Sequence, residues 1–239
     1  MKRRVLIYLK FSGLLILMVV LFAFASKRNE QRKINEVLIE FVEEQDPYVD
    51  EITVNKLLIQ NQDRVTNVGK EILVLNTVEQ KLDAHKMIEH SDVYLTVNGE
   101  LRARIKQRTP IARVNAVTPF YVDVTGNTMP LSDSYSAHVP IVHNVSEREV
   151  IQVFPLLKKI QEDEFLKKHV VGVYLNVEGN YELELRVYSF KLVFGKIENL
   201  DNKIRNFKAF YQKALRDKSL EKYKKVSLQF SNQVVCTIK

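Results

Sequence analysis

Among the residues able to do chemistry, Ser219-Leu220-Glu221-Lys222 has the Ser-x-x-Lys spacing in which a lysine can activate a serine nucleophile. The Ser-Asp-Asn and Lys-Thr-Gly companions that such enzymes carry are missing. Glu162-Asp163-Glu164 offers carboxylates, but neighbours on a helix point in different directions, so the run reads as a solvated helix end rather than an acid/base pair. His138 and His143 flank Pro140 at a spacing that could share a metal, with unpaired loop histidines as the plainer reading. Cys236 is the sole cysteine, which excludes an intramolecular disulfide; it reads as a small hydrophobe in a strand. Asn144-Val145-Ser146 is a sequon of little weight by itself. The sequence holds no GxSxG, HExxH, phosphate-binding loop or GxGxxG, and no cofactor is expected.

The elements that would have to position these groups begin with an apolar stretch. Val5–Ala25 is long enough as a helix to cross a hydrocarbon layer of ~30 Å, and Lys10 is close enough to Lys2-Arg3-Arg4 to snorkel to the headgroups. Lys27, Arg28, Arg32 and Lys33 follow it, so charge bias alone leaves the orientation open. A cleaved signal peptide ending near Ala23-Phe24-Ala25 is the competing reading; in both cases the bulk of the chain is exported. The formal charge of +7 does not indicate nucleic acid: residues 1–26 carry four basic residues and no acid, and acids are interspersed with the remaining basic residues.

In the exported part, Ile34–Val42 reads as a strand and Asp46-Pro47 as a turn, followed by a short helix at about Val54–Gln60. Thr77 and Gln80 suggest a capping box for a second helix, with Val78, Leu82, Ile88 and His85 on one stripe and His85 as a half-buried, hydrogen-bonded side chain. Val93, Leu95 and Val97 alternate up to Asn98-Gly99, a type I′ turn signal, and Leu101, Ala103 and Ile105 return. The order strand, helix, helix, strand, strand makes a small α+β unit ending near Arg108.

Beyond it come short strands at Ile111–Val117 and Phe120–Val124, then a helix opened by Ser146 and Glu149 that Pro155 must kink or restart. A second hairpin spans 171–187, with a third strand at Phe190, Leu192 and Phe194. Leu200, Ile204, Phe207, Tyr211 and Leu215 mark an amphipathic helix over Asn199–Arg216, with an aromatic stripe that reads as core. Val226, Leu228 and Phe230 alternate with Ser227 and Gln229, then a Ser231-Asn232 turn leads to a strand at Val234–Ile238.

This order of parts resembles the FtsQ/DivIB family. The residues that carry the likeness are the N-terminal span, Asn98-Gly99-Glu100-Leu101, the junction Gln107-Arg108-Thr109-Pro110-Ile111-Ala112-Arg113, and Tyr121-Val122-Asp123 with Gly126. Met129-Pro130-Leu131, Val139-Pro140-Ile141, Phe194-Gly195, Val226-Ser227-Leu228-Gln229-Phe230 and Gln233-Val234-Val235 complete it. The resemblance implies an α+β protein with a cytoplasmic tail at 1–4, a transmembrane helix at 5–25, a POTRA domain at 34–108 and a β-rich domain at 109–239 built on an antiparallel sheet with packed helices. It implies a single-pass protein of the cell inner (cytoplasmic) membrane, N-terminus cytoplasmic and bulk periplasmic, enriched at the division septum. Its role would be a non-enzymatic divisome scaffold contacting FtsB-like and FtsL-like membrane proteins and septal peptidoglycan synthesis proteins. A four-residue tail makes recruitment through that end doubtful.

A membrane-anchored envelope hydrolase or transferase, and a POTRA-type polypeptide-binding chaperone, are the competing functions. The stretch from Val226 to Cys236 has no proline and no charge, the usual protections of a sheet edge. Together with the likeness, this assigns partner binding to Phe230, Ser231, Asn232, Gln233, Val234, Val235 and Cys236, where a partner would add a strand.

Overall fold

A computed structural model describes residues 2–30, 34, 36–42, 48–59, 75–230 and 233–239, apart from the side chains of 2–9 and 28–30. The expected turn at Asp46-Pro47 and the residues Ser231 and Asn232 lie outside the described residues. The protein is α+β, with an apolar N-terminal helix and a β-rich C-terminal region.

Helix α1 (Lys2–Glu30) is about 43 Å long at ~1.5 Å per residue, and its Lys10–Lys27 stretch is long and apolar enough to cross a membrane. None of that stretch is buried against the rest of the chain, as a lipid-facing helix requires. The remainder divides into two compact units, one running to Gln107 and the other from Arg108 to Lys239, which also takes in Tyr48.

In the first unit β1 (Glu36–Phe41), α2 (Glu51–Ile59), α3 (Leu75–Asp83), β2 (Ile88–Leu95) and β3 (Glu100–Gln107) follow in that order. The sheet order is β1-β3-β2, with β1 parallel and β2 antiparallel to β3. Helix α3 buries Val78 and Leu82 and is stitched to β2 by polar contacts. Glu79 Oε1 accepts from the Val93 N–H (2.8 Å) and Asp83 Oδ1 from the Ser91 hydroxyl (2.8 Å). Thr77 and Gln80 lie inside α3 rather than at its cap, and Ile88 opens β2 rather than continuing the helical stripe. The helix ends at Asp83 because the next turn is tied by Asp83-flanking 3-10-like bonds, His85 N–H to Leu82 O and Ile88 N–H to His85 O (both 2.9 Å).

The β2–β3 hairpin corrects the expected type I′ turn. Gly99 has φ 87° while Asn98 keeps a negative φ, Gly99 N–H donates to Thr96 O (3.1 Å), and Thr96 N–H donates to Glu100 O (2.9 Å). This is a four-residue turn with glycine in the left-handed region, the arrangement that adds one bulged residue. The same bonding closes Asp123–Asn127 and Asn176–Asn180, each with glycine fourth and a polar side chain first. That first side chain accepts the turn's own N–H groups: Thr96 Oγ1 from Glu100, Asp123 Oδ1 from Thr125 and Asn127, and Asn176 Oδ1 from Glu178 and Asn180.

The second unit contains β4 (Pro110–Asn115), β5 (Phe120–Asp123), β6 (Thr128–Pro130), β7 (Ile141–His143), α4 (Val150–Glu162), α5 (Glu164–His169) and β8 (Val170–Leu175). Then come β9 (Tyr181–Leu185), β10 (Lys191–Gly195), α6 (Leu200–Arg216), β11 (Tyr223–Ser227) and β12 (Val235–Ile238). The sheet runs β12-β11-β10-β9-β8-β7-β4-β5-β6. It is mixed rather than antiparallel: β4 with β7, β7 with β8, and β10 with β11 are parallel pairs. A helix between two adjacent strands carries the chain back to its starting end, so α4–α5 and α6 are crossovers that force parallel pairing.

Val114, Val142, Val173, Leu183, Leu192 and Val226 lie in register across six strands on the face that α4, α5 and α6 cover. Ser146 and Glu149 form the expected capping box, on a short 3-10 turn that leads into α4. Pro155 sits inside α4 on its exposed side, where the carbonyl it deprives of a donor can be hydrated.

Gly195 closes β10 with φ +79°, and a Cβ built there would come within 2.8 Å of Gln229 Cγ. Both terms penalise a side chain, so Gly195→Ala is expected to lower unit stability by about 2 kcal/mol and its melting point by several degrees. Thermal denaturation of the full chain checks this. Gln229→Ala combined with it should recover only the steric part, leaving the backbone strain.

Candidate functional site

Strand β12 is held on one side only. Its partner is β11, in the antiparallel register Ser227 to Val235, Val226 to Cys236, Lys225 to Thr237 and Tyr223 to Ile238. It ends the sheet order, so its other side carries no strand among the described residues. The Lys239 N–H donates inward to Lys222 O at 2.9 Å. Backbone groups alternate in direction along a strand, so Thr237 and Val235 also turn towards β11, while Cys236 and Ile238 present N–H and C=O to the open side.

Of the residues assigned to partner binding from sequence, Val235 and Cys236 are in β12, while Gln233 and Val234 precede it. Phe230 does not continue the Val226 and Leu228 pattern: those two are buried, Phe230 is 49% exposed, and β11 has already ended at Ser227. Ser227 is buried too, although alternation would turn it outward, because its hydroxyl is engaged with the side chain and N–H of Gln229 (3.2 and 3.4 Å). The sequence reading missed Thr237 and Ile238, the latter 68% exposed at the end of an otherwise uncharged edge. The signal was present, since the uncharged run continues to Ile238, but the reading stopped at Cys236.

Cys236 is half-buried, and burial pushes its thiol pKa up, which disfavours the reactive thiolate. Val234 and Cys236 pack partly against the core on the helix side, so the edge is anchored on one face and open along its rim. Gln229 and Phe230 line a small cavity beside the N-terminal turn of α6 with Glu198, Asn199, Asn202 and Lys203. Lys203 is buried; its ammonium donates to Lys196 O (2.7 Å) and lies 5.1 Å from the centre of the Phe194 ring. Burial lowers its pKa, opposed by Glu198. Lys203 thereby fastens α6 to the Phe194-Gly195 corner on which Gln229 rests.

The remaining candidate groups are occupied in structural work. Asp163 N-caps α5 by accepting from Phe165 and Leu166 N–H and is paired with Lys208; Glu162 lies 4.0 Å from Lys158 one turn back on α4. Ser219 donates to Ala214 O (3.3 Å) at the end of α6. Asn144 is left-handed (φ 61°), with its amide on Leu175 O. His143 stacks on Tyr174 with ring centres 4.3 Å apart, and His138 Nδ1 is 3.3 Å from Tyr135 Oη. His169 Nδ1 is bonded to Phe165 O (2.7 Å), and His90 lies near Asp83 and Asp92. His85 is half-buried, its Nδ1 accepts from Met87 N–H (3.4 Å), and burial lowers its pKa. Among the described residues no three His, Cys, Asp or Glu side chains are grouped to hold a metal ion.

The junction motif is also explained by structure. Arg108 donates to Asp123 Oδ2 (2.8 Å), and Tyr121 Oη accepts from Ala137 N–H (3.1 Å), so the shared residues tie the start of the second unit to its β5 turn. No protein of curated function matches the chain. The family model described as FtsQ/DivIB, C-terminal related, matches residues 109–237, which is all but the last two residues of the β-rich region. That match covers more than half of the chain, and the protein belongs to the FtsQ/DivIB family of cell-division proteins.

Proposed function

We propose that this protein is a non-enzymatic, single-pass scaffold of the divisome, whose β-rich unit holds a partner segment as an added strand on β12. The single observation that carries this is the outer rim of β12, which pairs with no strand among the described residues, ends a nine-stranded sheet, and closes a stretch, Val226–Ile238, without charge or proline. Support for the setting comes from the family match and from the apolar α1. In this reading α1 spans the inner membrane with its N-terminal end in the cytoplasm, and residues 34–108 form a POTRA domain next to the membrane. The β-rich unit from 109 onward engages FtsB-like and FtsL-like division proteins and, through them, septal peptidoglycan synthesis.

The reading makes a positional prediction. Cys236 turns its N–H to the open rim, so Cys236→Pro deletes a bond available only to a partner, whereas Val235→Pro deletes one that holds β12 on β11. With full-length protein in detergent, Cys236→Pro should weaken capture of an FtsB-like partner at least tenfold with the melting point nearly unchanged. Val235→Pro should lower both. Undiminished capture by a folded Cys236→Pro protein rules the edge-strand function out.

A further inference from the structure

The outer rim of β12 carries no charge of its own, but the strands behind it do. Lys191 on β10 stands in register with Lys225 on β11, and Lys225 with Thr237 on β12. In-register side chains share a face, so one row reads Lys191, Lys225, Thr237 and then the open rim. Two like charges side by side on neighbouring strands repel, a cost that a sheet carries only with compensation. Lys191 has a loose neighbour in Glu182 Oε2 at 3.7 Å. Among the described residues no carboxylate comes within ion-pair distance of Lys225, nor of Lys213, Arg216, Lys218, Lys222, Lys224 or Lys239.

The imbalance is local. Residues 108–212 hold thirteen basic and twelve acidic residues, whereas 213–239 hold seven basic and two. Elsewhere in the same unit acids keep pace with bases, and several pair directly: Lys159 with Asp201 at 2.8 Å, Arg108 with Asp123, and Lys208 with Asp163. The excess falls in the segment that carries β11 and β12.

Such an edge would accept any strand, including a second copy of itself, and needs something to choose. In a two-fold pairing of two β12 strands, the Lys225 residues of both copies would stand on one face about 14 Å apart, three strand spacings. Their long stems bring the ammonium groups well within the ~8–10 Å over which salt leaves charges in contact. A foreign strand beside Thr237 lies only about 10 Å from Lys225 across the short threonine, a span that a lysine and a glutamate side chain close between them.

We propose that the lysine row Lys191–Lys225, seconded by Lys224, is a selectivity element at the β12 edge: it holds off a second β12 and admits a partner strand bearing carboxylates on the Thr237 face. This rests on the reading of β12 as the partner-binding edge. It adds the chemistry of the partner and assigns a role to residues that do not form the edge.

The experiment uses full-length protein in detergent micelles and three labelled ten-residue peptides of alternating valine and threonine, in which three threonine positions carry Glu, Gln or Lys. Anisotropy titrations at low and high salt should rank Glu over Gln over Lys, with the Glu peptide about five- to tenfold tighter than Gln at low salt and the gap shrinking at high salt. Lys191→Glu with Lys225→Glu should reverse the order. Lys191→Thr, Lys224→Thr and Lys225→Thr together should shift the protein from monomer to dimer by sedimentation, and adding Cys236→Pro should undo that shift. Equal binding of the three peptides, abolished by Cys236→Pro, would leave the edge standing and sink the selectivity element. Peptide binding that ignores Cys236→Pro, or no binding of any peptide at millimolar concentration, would remove the edge and this inference together. A triple threonine variant that stays as monomeric as the wild type would refute the exclusion of a second copy.

Discussion

Asp123→Ala should destabilise the second unit by about 3–5 kcal/mol, because it strips a buried carboxylate from every group arranged around it. The Asp123 side chain is 2% exposed and Arg108 22%. One carboxylate oxygen takes the guanidinium of Arg108 at 2.8 Å; the other takes the Thr125 N–H, the Thr125 hydroxyl and the Asn127 N–H at 2.9, 2.7 and 2.9 Å. Alanine leaves a largely buried cation and two turn N–H groups without this acceptor, and the loss of a whole ion pair's partner costs more than the net value of the pair. Asp123→Asn keeps the shape and one acceptor oxygen, so it should cost less than alanine and isolate the charge.

The same contacts set a pH dependence. Burial alone would raise the Asp123 pKa, but the Thr125 hydroxyl, Arg108 and the N–H groups of Asn127 and Thr125 outweigh it and hold the carboxyl below the usual range. A carboxyl depressed in the folded state stabilises fully above its unfolded pKa of about 3.9, and that stability is lost as pH falls through the folded value. Asp163 is depressed too, against its own desolvation, by Lys208 and the N–H groups of Leu166 and Phe165, and it titrates in the same acid window. The informative quantity is therefore the stability gap between wild type and Asp123→Asn. It should be constant near neutrality and close below about pH 4; a gap independent of pH would deny Asp123 this role.

Local chemistry in this chain was legible wherever one residue type has one use. The turn at Asn98-Gly99, though not its type, the Ser146/Glu149 box and the apolar α1 are readable because glycine, capping side chains and a long apolar run answer local needs. What escaped depends on distant partners. The parallel pairs of the large sheet arise from where α4 and α6 deposit the chain, which strand composition does not encode. Phe230 carries the right hydrophobicity for its alternating pattern, yet Ser227 and Gln229 bend the chain out of β11 before it. The lysine row was invisible as well: Lys191 and Lys225 are thirty-four positions apart in sequence and meet only through strand register. Charge summed along the chain hides an excess that is local in the fold.

Helix α6 shows the same limit at the scale of one residue and carries the other large effect. The apolar stripe Leu200, Ile204, Phe207, Tyr211 extrapolates to Leu215 by a step of four, but steps of four and three alternate around a helix of 3.6 residues per turn. The next inward position is Ala214, which is buried, while Leu215 is 52% exposed. Phe207 is the centre of the packing: it is 1% exposed, and its ring meets Phe165 at 5.8 Å and Tyr211 at 6.0 Å between centroids, both edge-on. Phe165 and Tyr211 in turn contact each other and His169, so the cluster joins α5 to α6 over the β8–β9 face. Phe207→Ala empties the buried centre of this cluster and should cost about 3–5 kcal/mol. Leu215→Ala, at the position the simple periodicity would have chosen, should cost well under 1 kcal/mol. Paired thermal melts of the two variants distinguish the alternating stripe from the uniform one: comparable losses at both positions would mean that α6 is rotated about its axis from the orientation described.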